Sequence, residues 1–425
     1  MDIDLLKKAL IKGRRGRKIT LEIELPDGES FLDTEEEIQE VVNAVGRHLT
    51  REALGLHDTD GSPLRIGEIV AYSKGASPGT YQTPYGAVEL PRQVYQTATG
   101  GRTLCPLESA TGVIEHSTPK FAKQVASKYA GVSAREVARD LADNHGRCVA
   151  PSFIQDLADA VGTEIEQHLL DGQWAIEPTI NAENVASICC GLDGAMMPIL
   201  KDGYREAMVG TIAFYDDEGN RLQTFYVAAT PEYGKERFCD RFIQSVIQAK
   251  KFAPGVPVIG VADGAHWNWG ILDSLCDILV QDFYHATEYL ADASEAIHPN
   301  DAKIAKEWLE AACSKLKHKV GAAKRLENEM RSVLDSLAYN TARKKTLKRC
   351  VGYFQQGHSR MRYWENTKKG LPIGSGVTEA ACKVIVKQRM CRSGCRWLKE
   401  KAERVLLMRC MSYSADKWNV YWRMR

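Results

Sequence analysis

Two apolar, strand-like runs of this chain each lead into an Asp-Gly pair. The first ends in Gly191-Leu192-Asp193-Gly194 and the second in Val261-Ala262-Asp263-Gly264. A third carboxylate, Glu379, follows the glycine-rich turn Gly374-Ser375-Gly376 at the start of a helical pattern. Open α/β sheets place their ligand sites at the carboxyl ends of neighbouring parallel strands. The pattern therefore predicts an α/β domain in which Asp193 and Asp263 lie side by side and Glu379 arrives from a helix packed across that edge.

The alternation of strand and helix patterns begins near residue 184. Strands are predicted at Asn184–Leu192, Ala207–Tyr215, Leu222–Thr230, Pro257–Ala262 and Asp277–Gln281, with a helix at Lys235–Lys250 and another from Trp267. After His285 the pattern is wholly helical to about Asn366. We therefore expect an α/β domain whose first part is 181–285, an all-α insertion at 286–370, and a C-terminal helix with a basic tail at 371–425 that completes the domain.

The N-terminal part of the chain has mixed patterns. Residues 1–115 predict an α+β region, with a small β element at 62–110 whose loop is Gly75–Tyr85. Residues 116–180 predict a helix-turn-helix-like unit, in which Ser133-x-x-Glu136 and Ser152-x-x-Gln155 have the form of capping boxes. The third helix of this unit is acidic, so reading of DNA remains an alternative to dimerisation or plain packing.

Composition bounds the class of protein. The chain has 425 residues, of which 44% are hydrophobic, and it has no apolar stretch near the roughly 20 residues of a membrane span. Its start has no basic region leading into an apolar signal core, so we expect a cytoplasmic protein that is nucleoid-associated when bound to DNA. The twelve cysteines include no C-x-x-C pair, which favours reduced, buried thiols over structural zinc.

The net charge of +1 conceals a strong asymmetry. Residues 341–425 contain 21 Lys and Arg against 5 Asp and Glu, a net charge of +16, and the rest of the chain carries −15. A bias of this size over 85 residues favours a polyanionic partner, of which nucleic acid is the obvious one. The candidate contacts with the DNA backbone follow Glu379 on a basic helical face: Lys383, Lys387, Arg389, Arg392 and Arg396. Trp397 is expected to pack inside the protein.

Three carboxylates from separate elements suit phosphodiester chemistry. Hard Mg²⁺ or Mn²⁺ ions prefer oxygen ligands and keep several waters, so two or three carboxylates can hold a pair of ions. One ion of such a pair activates the attacking hydroxyl or water, and the other stabilises the leaving oxygen. Ser375 and its glycine neighbours either begin the helix or present backbone N–H groups to a phosphate. Both readings remain open.

These segments resemble the DDE transposases of bacterial insertion sequences, in particular the ISKra group, which is related in layout to eukaryotic Mutator-like elements. The resemblance rests on the segments around Asp193, Asp263 and Glu379, on Asp282-Phe283-Tyr284-His285, and on Lys387-Gln388-Arg389-Met390 leading to Ser393-Gly394-x-Arg396-Trp397. It implies an RNase H-like catalytic domain in which Asp193, Asp263 and Glu379 bind two Mg²⁺ or Mn²⁺ ions. It also implies that Asp282 and His285 form an accessory pair near the scissile phosphate, although His285 could merely end the fifth strand.

The expected activity is binding of double-stranded DNA at element ends, strand cleavage, and joining of the freed 3′-hydroxyl to target DNA by an assembly that is a homodimer or larger. Two alternatives stay open. An RNase H-like structure-specific nuclease would hydrolyse DNA without joining it, and a transposase-derived regulator would bind DNA without cutting it.

Overall fold

The structure is a computed structural model that describes residues 9–15, 18–23, 28–66, 68–170, 178–232, 234–337, 342–414 and 416–424. The chain divides into two compact units, Met1–Gln167 with Asn419–Arg425, and His168–Trp418. No helix in these described ranges is long and apolar enough to cross a membrane.

The first unit combines antiparallel strands with helices. A hairpin pairs β1 (Ala9–Arg15) with β2 (Lys18–Ile23), and a second sheet has the order β3 (Leu64–Ile66), β4 (Ile69–Thr83), β5 (Gly86–Thr97) and β6 (Gly100–Leu104). Helices span Phe31–Gly55, Pro106–Thr111, Pro119–Gly131, Ala134–His145 and Pro151–Leu170. Leu54, Tyr81, Val88, Leu90 and Leu107 form a core cluster of this unit.

Two details of the first unit differ from prediction. Most of the expected loop Gly75–Tyr85 is strand, because β4 continues to Thr83 and pairs with β5 down to Thr83 and Gly86. Alternate residues at the end of β4, among them Tyr81 and Thr83, are buried, which stabilises the extended conformation. The capping box at Ser133 is confirmed. That at Ser152 is wrong, since the helix already begins at Pro151.

The second unit is built on a mixed sheet of five strands among the described residues. The strands are β7 (Ser187–Ile199), β8 (Gly203–Tyr215), β9 (Arg221–Ala229), β10 (Val258–Ala262) and β11 (Ile278–Gln281), and their order is β11-β10-β7-β8-β9. β7, β8 and β9 are antiparallel, whereas β10 is parallel to both β7 and β11. The sheet therefore has parallel strands at the side where β7 and β10 meet.

Helices cover both faces of this sheet, as the alternation of side chains requires. Ile188, Cys190 and Leu192 of β7 pack with the helix Glu236–Phe252 and the helix His266–Leu275. Cys189 of β7 and Val261 of β10 face the opposite side. That side is covered by an all-helical segment with helices at Phe283–Ile297, Ala302–His318, Ala322–Ser336, Ala342–Gly357 and Tyr363–Lys368, and a 3₁₀ turn at His358–Arg360.

The C-terminal part of the second unit is helical. The helix Gly376–Ala381 continues without a break into a π-helical stretch, Cys382–Lys387, and then into Gln388–Met390. The helix Lys399–Tyr413 follows. The last helix, Lys417–Arg423, lies mostly in the segment Asn419–Arg425 that belongs to the first unit. A π-helical stretch inside an α-helix is uncommon and is frequent at functional sites.

Strand β7 is longer than predicted. It was expected to end at Leu192, but it continues through Asp193 to Ile199, because β8 pairs with it along its full length, from Ser187 opposite Tyr215 to Ile199 opposite Gly203. Asp193 therefore lies within a strand, and only its pairing with β10 has ended at that point.

Candidate active site

Asp193 and Asp263 lie level with each other on neighbouring parallel strands. The last residue pair between β7 and β10 is Gly191 with Val261, and each aspartate follows two residues later. Side chains alternate between the two faces of a sheet, so Asp193 and Asp263 lie on the same face as Cys189 and Val261. Burial raises the pKa of the Asp193 carboxyl, and the negative charge of Asp263 adds to this. The structure therefore brings these two predicted residues together.

Gly191 lets the Glu379 helix approach the sheet. A Cβ atom on Gly191 would lie 2.0 Å from the Thr378 hydroxyl oxygen. That hydroxyl is buried and shares a 2.7 Å hydrogen bond with the hydroxyl of Thr211 on β8. The helix Gly376–Ala381 thus packs directly on β7, two residues before Asp193, which explains why glycine stands in the Gly-Leu-Asp-Gly motif.

Asp282 fixes the turn that precedes the helix. Its side chain is fully buried, and its carboxylate accepts hydrogen bonds from two backbone N–H groups, that of His285 at 2.6 Å and that of Ser375. The N–H of Phe283 also donates to the Ile373 carbonyl oxygen at 2.9 Å. Asp282 therefore ties the end of β11 to the turn at residues 374–375. Because the Ser375 N–H already donates to Asp282, it is not available to a phosphate.

Ser375 and His285 lie beside Glu379. The Ser375 hydroxyl donates to Glu379 Oε1 at 2.8 Å. One ligand atom from each of Asp282, His285 and Glu379 lies within 4.8 Å of the others, and the Nδ1 atom of His285 lies 3.1 Å from a carboxylate oxygen of Glu288. Among the described residues this is the group of three whose ligand atoms lie close enough together to hold a metal ion, and it contains Glu379 but neither Asp193 nor Asp263.

Cys382 connects the two halves of the site, and sequence reasoning did not find it. Its buried thiol lies 3.4 Å from Asp193 Oδ2 and donates to it. Burial raises the pKa of this thiol, and the charges of Asp193 and Glu379 raise it further. The available signal was its spacing, since residues three apart on a helix share a face and Cys382 follows Glu379 by three.

Several groups hold the Asp263 loop. Asp263 Oδ1 accepts the N–H of Ala265 at 3.0 Å and the side-chain amide of Asn268 at 3.1 Å. The backbone carbonyl of Asp263 accepts from Gln281 Nε2 and from the hydroxyl of Tyr353, both at 3.1 Å. Burial raises the pKa of Tyr353, which keeps the hydroxyl a donor.

Tyr353 belongs to the helix Ala342–Gly357, so the all-helical segment reaches the site. Its ring stacks on Tyr289 with 3.8 Å between ring centroids. Gly264, next to Asp263, has a φ of 114°, and a Cβ there would lie 2.3 Å from Gln281 Nε2. The loop is therefore held between its own sheet and the helical segment by Gln281 and Tyr353, neither of which the sequence pattern indicated.

The five basic residues predicted to contact DNA divide into two groups. Lys383, Lys387, Arg392 and Arg396 are exposed. Arg389 is only 2% exposed, and its guanidinium lies 4.7 Å from the ring centroid of Trp397. Trp397 is buried, as expected, and its indole N–H donates to the Met390 carbonyl oxygen at 2.9 Å. Arg389 is therefore placed as a packing residue and not on the exposed basic face.

The π-helical stretch has its own support. Arg409 is buried, and its guanidinium donates to the carbonyl oxygens of Ile385, at 2.8 Å, and Val384. Burial lowers the pKa of Arg409. These hydrogen bonds satisfy carbonyl groups where the hydrogen-bond spacing of the helix is irregular.

The donor set fits a hard divalent cation. The carboxylate oxygens of Asp193, Asp263 and Glu379 are the ligand type that Mg²⁺ and Mn²⁺ prefer, whereas the imidazole of His285 suits softer ions better. Asp282 contributes less, because both of its oxygens already accept backbone N–H groups. It is better placed to orient the site than to bind an ion.

Comparison with known proteins gives little. No protein-family model matches the sequence, and no curated protein matches it. Among solved structures, the chain is similar to the Drosophila P element transposase strand transfer complex, with 9% sequence identity and a TM-score of 0.26 over 71% of this chain and 80% of that chain. This likeness is too weak to assign a fold or an activity.

Proposed function

We propose that the chain is a DDE-type DNA transposase of the bacterial insertion-sequence kind, resembling the ISKra group, with an RNase H-like catalytic domain. In the RNase H-like arrangement, three antiparallel strands are followed by two parallel ones in the order 5-4-1-2-3. Strands β7 to β11 have this order and these directions. The proposal places the catalytic domain at 181–285 and 371–425, with the all-α insertion at 286–370.

One observation supports the proposal more than any other. Asp193 and Asp263 lie level on adjacent parallel strands, and the helix that carries Glu379 packs against Gly191 on that same face. Two Mg²⁺ or Mn²⁺ ions held by these acids would activate the attacking hydroxyl and stabilise the leaving oxygen. His285 is close enough to orient a phosphate beside Glu379, and Asp282 keeps that side of the site in shape.

DNA would be bound through the exposed basic residues that follow Glu379, namely Lys383, Lys387, Arg392 and Arg396. These residues lie on or just after the helix whose first turn carries Glu379. A DNA strand whose phosphates contact them would therefore pass close to the carboxylates. In this proposal the helices at 119–170 form the helix-turn-helix-like unit that contacts element ends. The partners are element ends and target DNA, and the protein acts in the bacterial cytoplasm at the nucleoid.

The test begins with selection of bound sequences from random duplex DNA, which supplies the substrate. Asp193→Asn, Asp263→Asn and Glu379→Gln are then compared with the wild type in Mg²⁺. We expect each to reduce cleavage at least 1000-fold while a band-shift assay shows unchanged binding. Glu400→Gln, an exposed acid on the nearby helix Lys399–Tyr413, is the matched control and should cleave normally.

Strand joining separates a transposase from a nuclease. With pre-cut ends and a supercoiled target, a transposase joins the 3′-hydroxyl to the target, whereas a hydrolytic nuclease yields no joined product. Full cleavage by the three carboxamide variants would overturn the proposed site. Cleavage without joining would overturn transposition, and binding without any cleavage would favour a regulator.

A further inference from the structure

The helix Phe31–Gly55 exposes an unusually apolar face. Phe31 is 76% exposed, Val42 50% and Leu56, at the helix C-cap, 67%, while Ile38 and Leu49 are 40% and 39% exposed. With half-buried Val45 these side chains fall within about 60° of arc on a helix of 3.6 residues per turn. The buried residues of the same helix, such as Ala44 and Leu54, point elsewhere. Large apolar side chains grouped in this way mark an interaction surface.

The positions of these apolar residues are symmetric about the middle of the helix. Phe31 and Leu56, Ile38 and Leu49, and Val42 and Val45 are three pairs placed symmetrically about the midpoint between residues 43 and 44. A two-fold interface between identical helices that run antiparallel brings the two members of each such pair together across the axis. This spacing suits a second copy of the same helix better than an unrelated partner.

Charge along the helix favours the antiparallel direction. Residues 31–43 contain five carboxylates and no Lys or Arg, whereas residues 44–55 contain Arg47 and Arg51 against one carboxylate, Glu52. A parallel pair would place the two acidic halves against each other. An antiparallel pair places each acidic half beside the basic half of its partner and also opposes the helix dipoles.

We propose that the helix Phe31–Gly55 is a homodimerisation surface that pairs antiparallel with the same helix of a second copy. A 25-residue helix is about 37 Å long. A strip of that length and about 10 Å wide covers roughly 400 Å² per partner, about half of a standard interface. The dimer is therefore weak and concentration-dependent in the absence of DNA. This inference does not depend on the proposed function.

Sedimentation velocity on the full chain, without DNA, over a concentration series is the test. We expect a monomer–dimer equilibrium that Val42→Glu or Val45→Lys weakens at least tenfold. In an antiparallel pair residue 42 meets residue 45 of the other copy, so the double variant Val42→Glu/Val45→Lys should recover dimerisation. In a parallel pair residue 42 meets its own equivalent, and the double variant would stay monomeric.

The control is Ile304→Glu, which places the same charge at a 45% exposed isoleucine on another helix and should leave the equilibrium unchanged. Circular dichroism melts confirm that each variant is folded. A chain that stays monomeric throughout, a dimer that resists Val42→Glu, or a double variant that remains monomeric would each overturn the proposal.

Discussion

Replacing Gly191 with alanine tests how closely the Glu379 helix must approach the sheet. The new Cβ would lie 2.0 Å from Thr378 Oγ1 and 3.1 Å from Thr211 Oγ1, so one of the groups must move by more than 1 Å. If the helix moves, the overpacking costs about 1–3 kcal/mol. If the Thr378 side chain rotates instead, its buried hydrogen bond to Thr211 is lost, at about 1–3 kcal/mol.

Either route gives a similar loss of stability. For a unit of this size, about 1–3 kcal/mol lowers the melting temperature by roughly 2–12 °C. We expect Gly191→Ala to show this loss in thermal and denaturant unfolding, and to reduce cleavage because Glu379 and Cys382 move away from Asp193. Gly270→Ala is the matched control. A Cβ at Gly270 meets open space in the helix His266–Leu275, so the free energy of unfolding of that variant should rise by about 0.5–1 kcal/mol.

A double-mutant cycle identifies the cause. Thr378→Ala removes the oxygen at 2.0 Å and leaves contacts of 3.1 Å with Thr211 Oγ1 and 3.2 Å with the Cβ of residue 378. Gly191→Ala should therefore cost clearly less stability in the Thr378→Ala background than in the wild type. If Gly191→Ala is as stable as the wild type, or if its loss is unchanged in the Thr378→Ala background, the proposed close packing is wrong.

Three further changes test other contacts. Tyr353→Phe keeps the ring stacked on Tyr289 but removes a donor to the Asp263 carbonyl. The free energy of unfolding should fall by about 1 kcal/mol, and cleavage should need a higher Mg²⁺ concentration to reach half of its maximum. An unchanged Mg²⁺ titration would contradict a positioning role. Arg409→Met leaves the carbonyls of Val384 and Ile385 without this donor and should cost about 2 kcal/mol or more in denaturant unfolding; an equally stable variant would show that the π-helical stretch needs no such support. Burial alone would raise the pKa of Glu327, but its ion pairs with Lys324 and Arg331 lower it below the usual value of 4.5. The carboxylate thus stabilises the fold above that pH and loses its effect as the pH falls through the lowered pKa. Glu327→Gln should therefore be less stable than the wild type at pH 7, and the difference should shrink below about pH 4.5. A difference that does not depend on pH would refute the assignment.

The sequence predicted the sheet that carries the site because its signals are local. The buried strand Val258–Ala262 and the Asp-Gly pair that follows it are recognised from residues close together in the chain. The parallel pairing of this strand with β7 follows from the helix between the two strands. The end of β7 could not be predicted in the same way. Asp193-Gly194 looks like a turn, and only the pairing with β8 keeps it extended.

The contacts that shape the site were hidden for a different reason. Tyr353 lies 90 residues from Asp263 in the chain, yet its hydroxyl reaches the Asp263 carbonyl. Arg389 was predicted to lie on the exposed basic face, but a residue two positions after Lys387 on a helix points about 200° away from it, and Arg389 is buried against Trp397. Long-range pairing is a tertiary property that a single sequence does not reveal, whereas the position of Arg389 follows from helix spacing.

The buried carboxylate of Asp282 has a consequence for how the proposed metal ions would bind. Because a protein side chain already organises the turn before Glu379, and Ser375 already orients the Glu379 carboxylate, the ions would not have to order this segment themselves. The conformational entropy is lost during folding and not during ion binding, which favours tighter binding. Under the proposed function, the site would keep its shape when its ions leave.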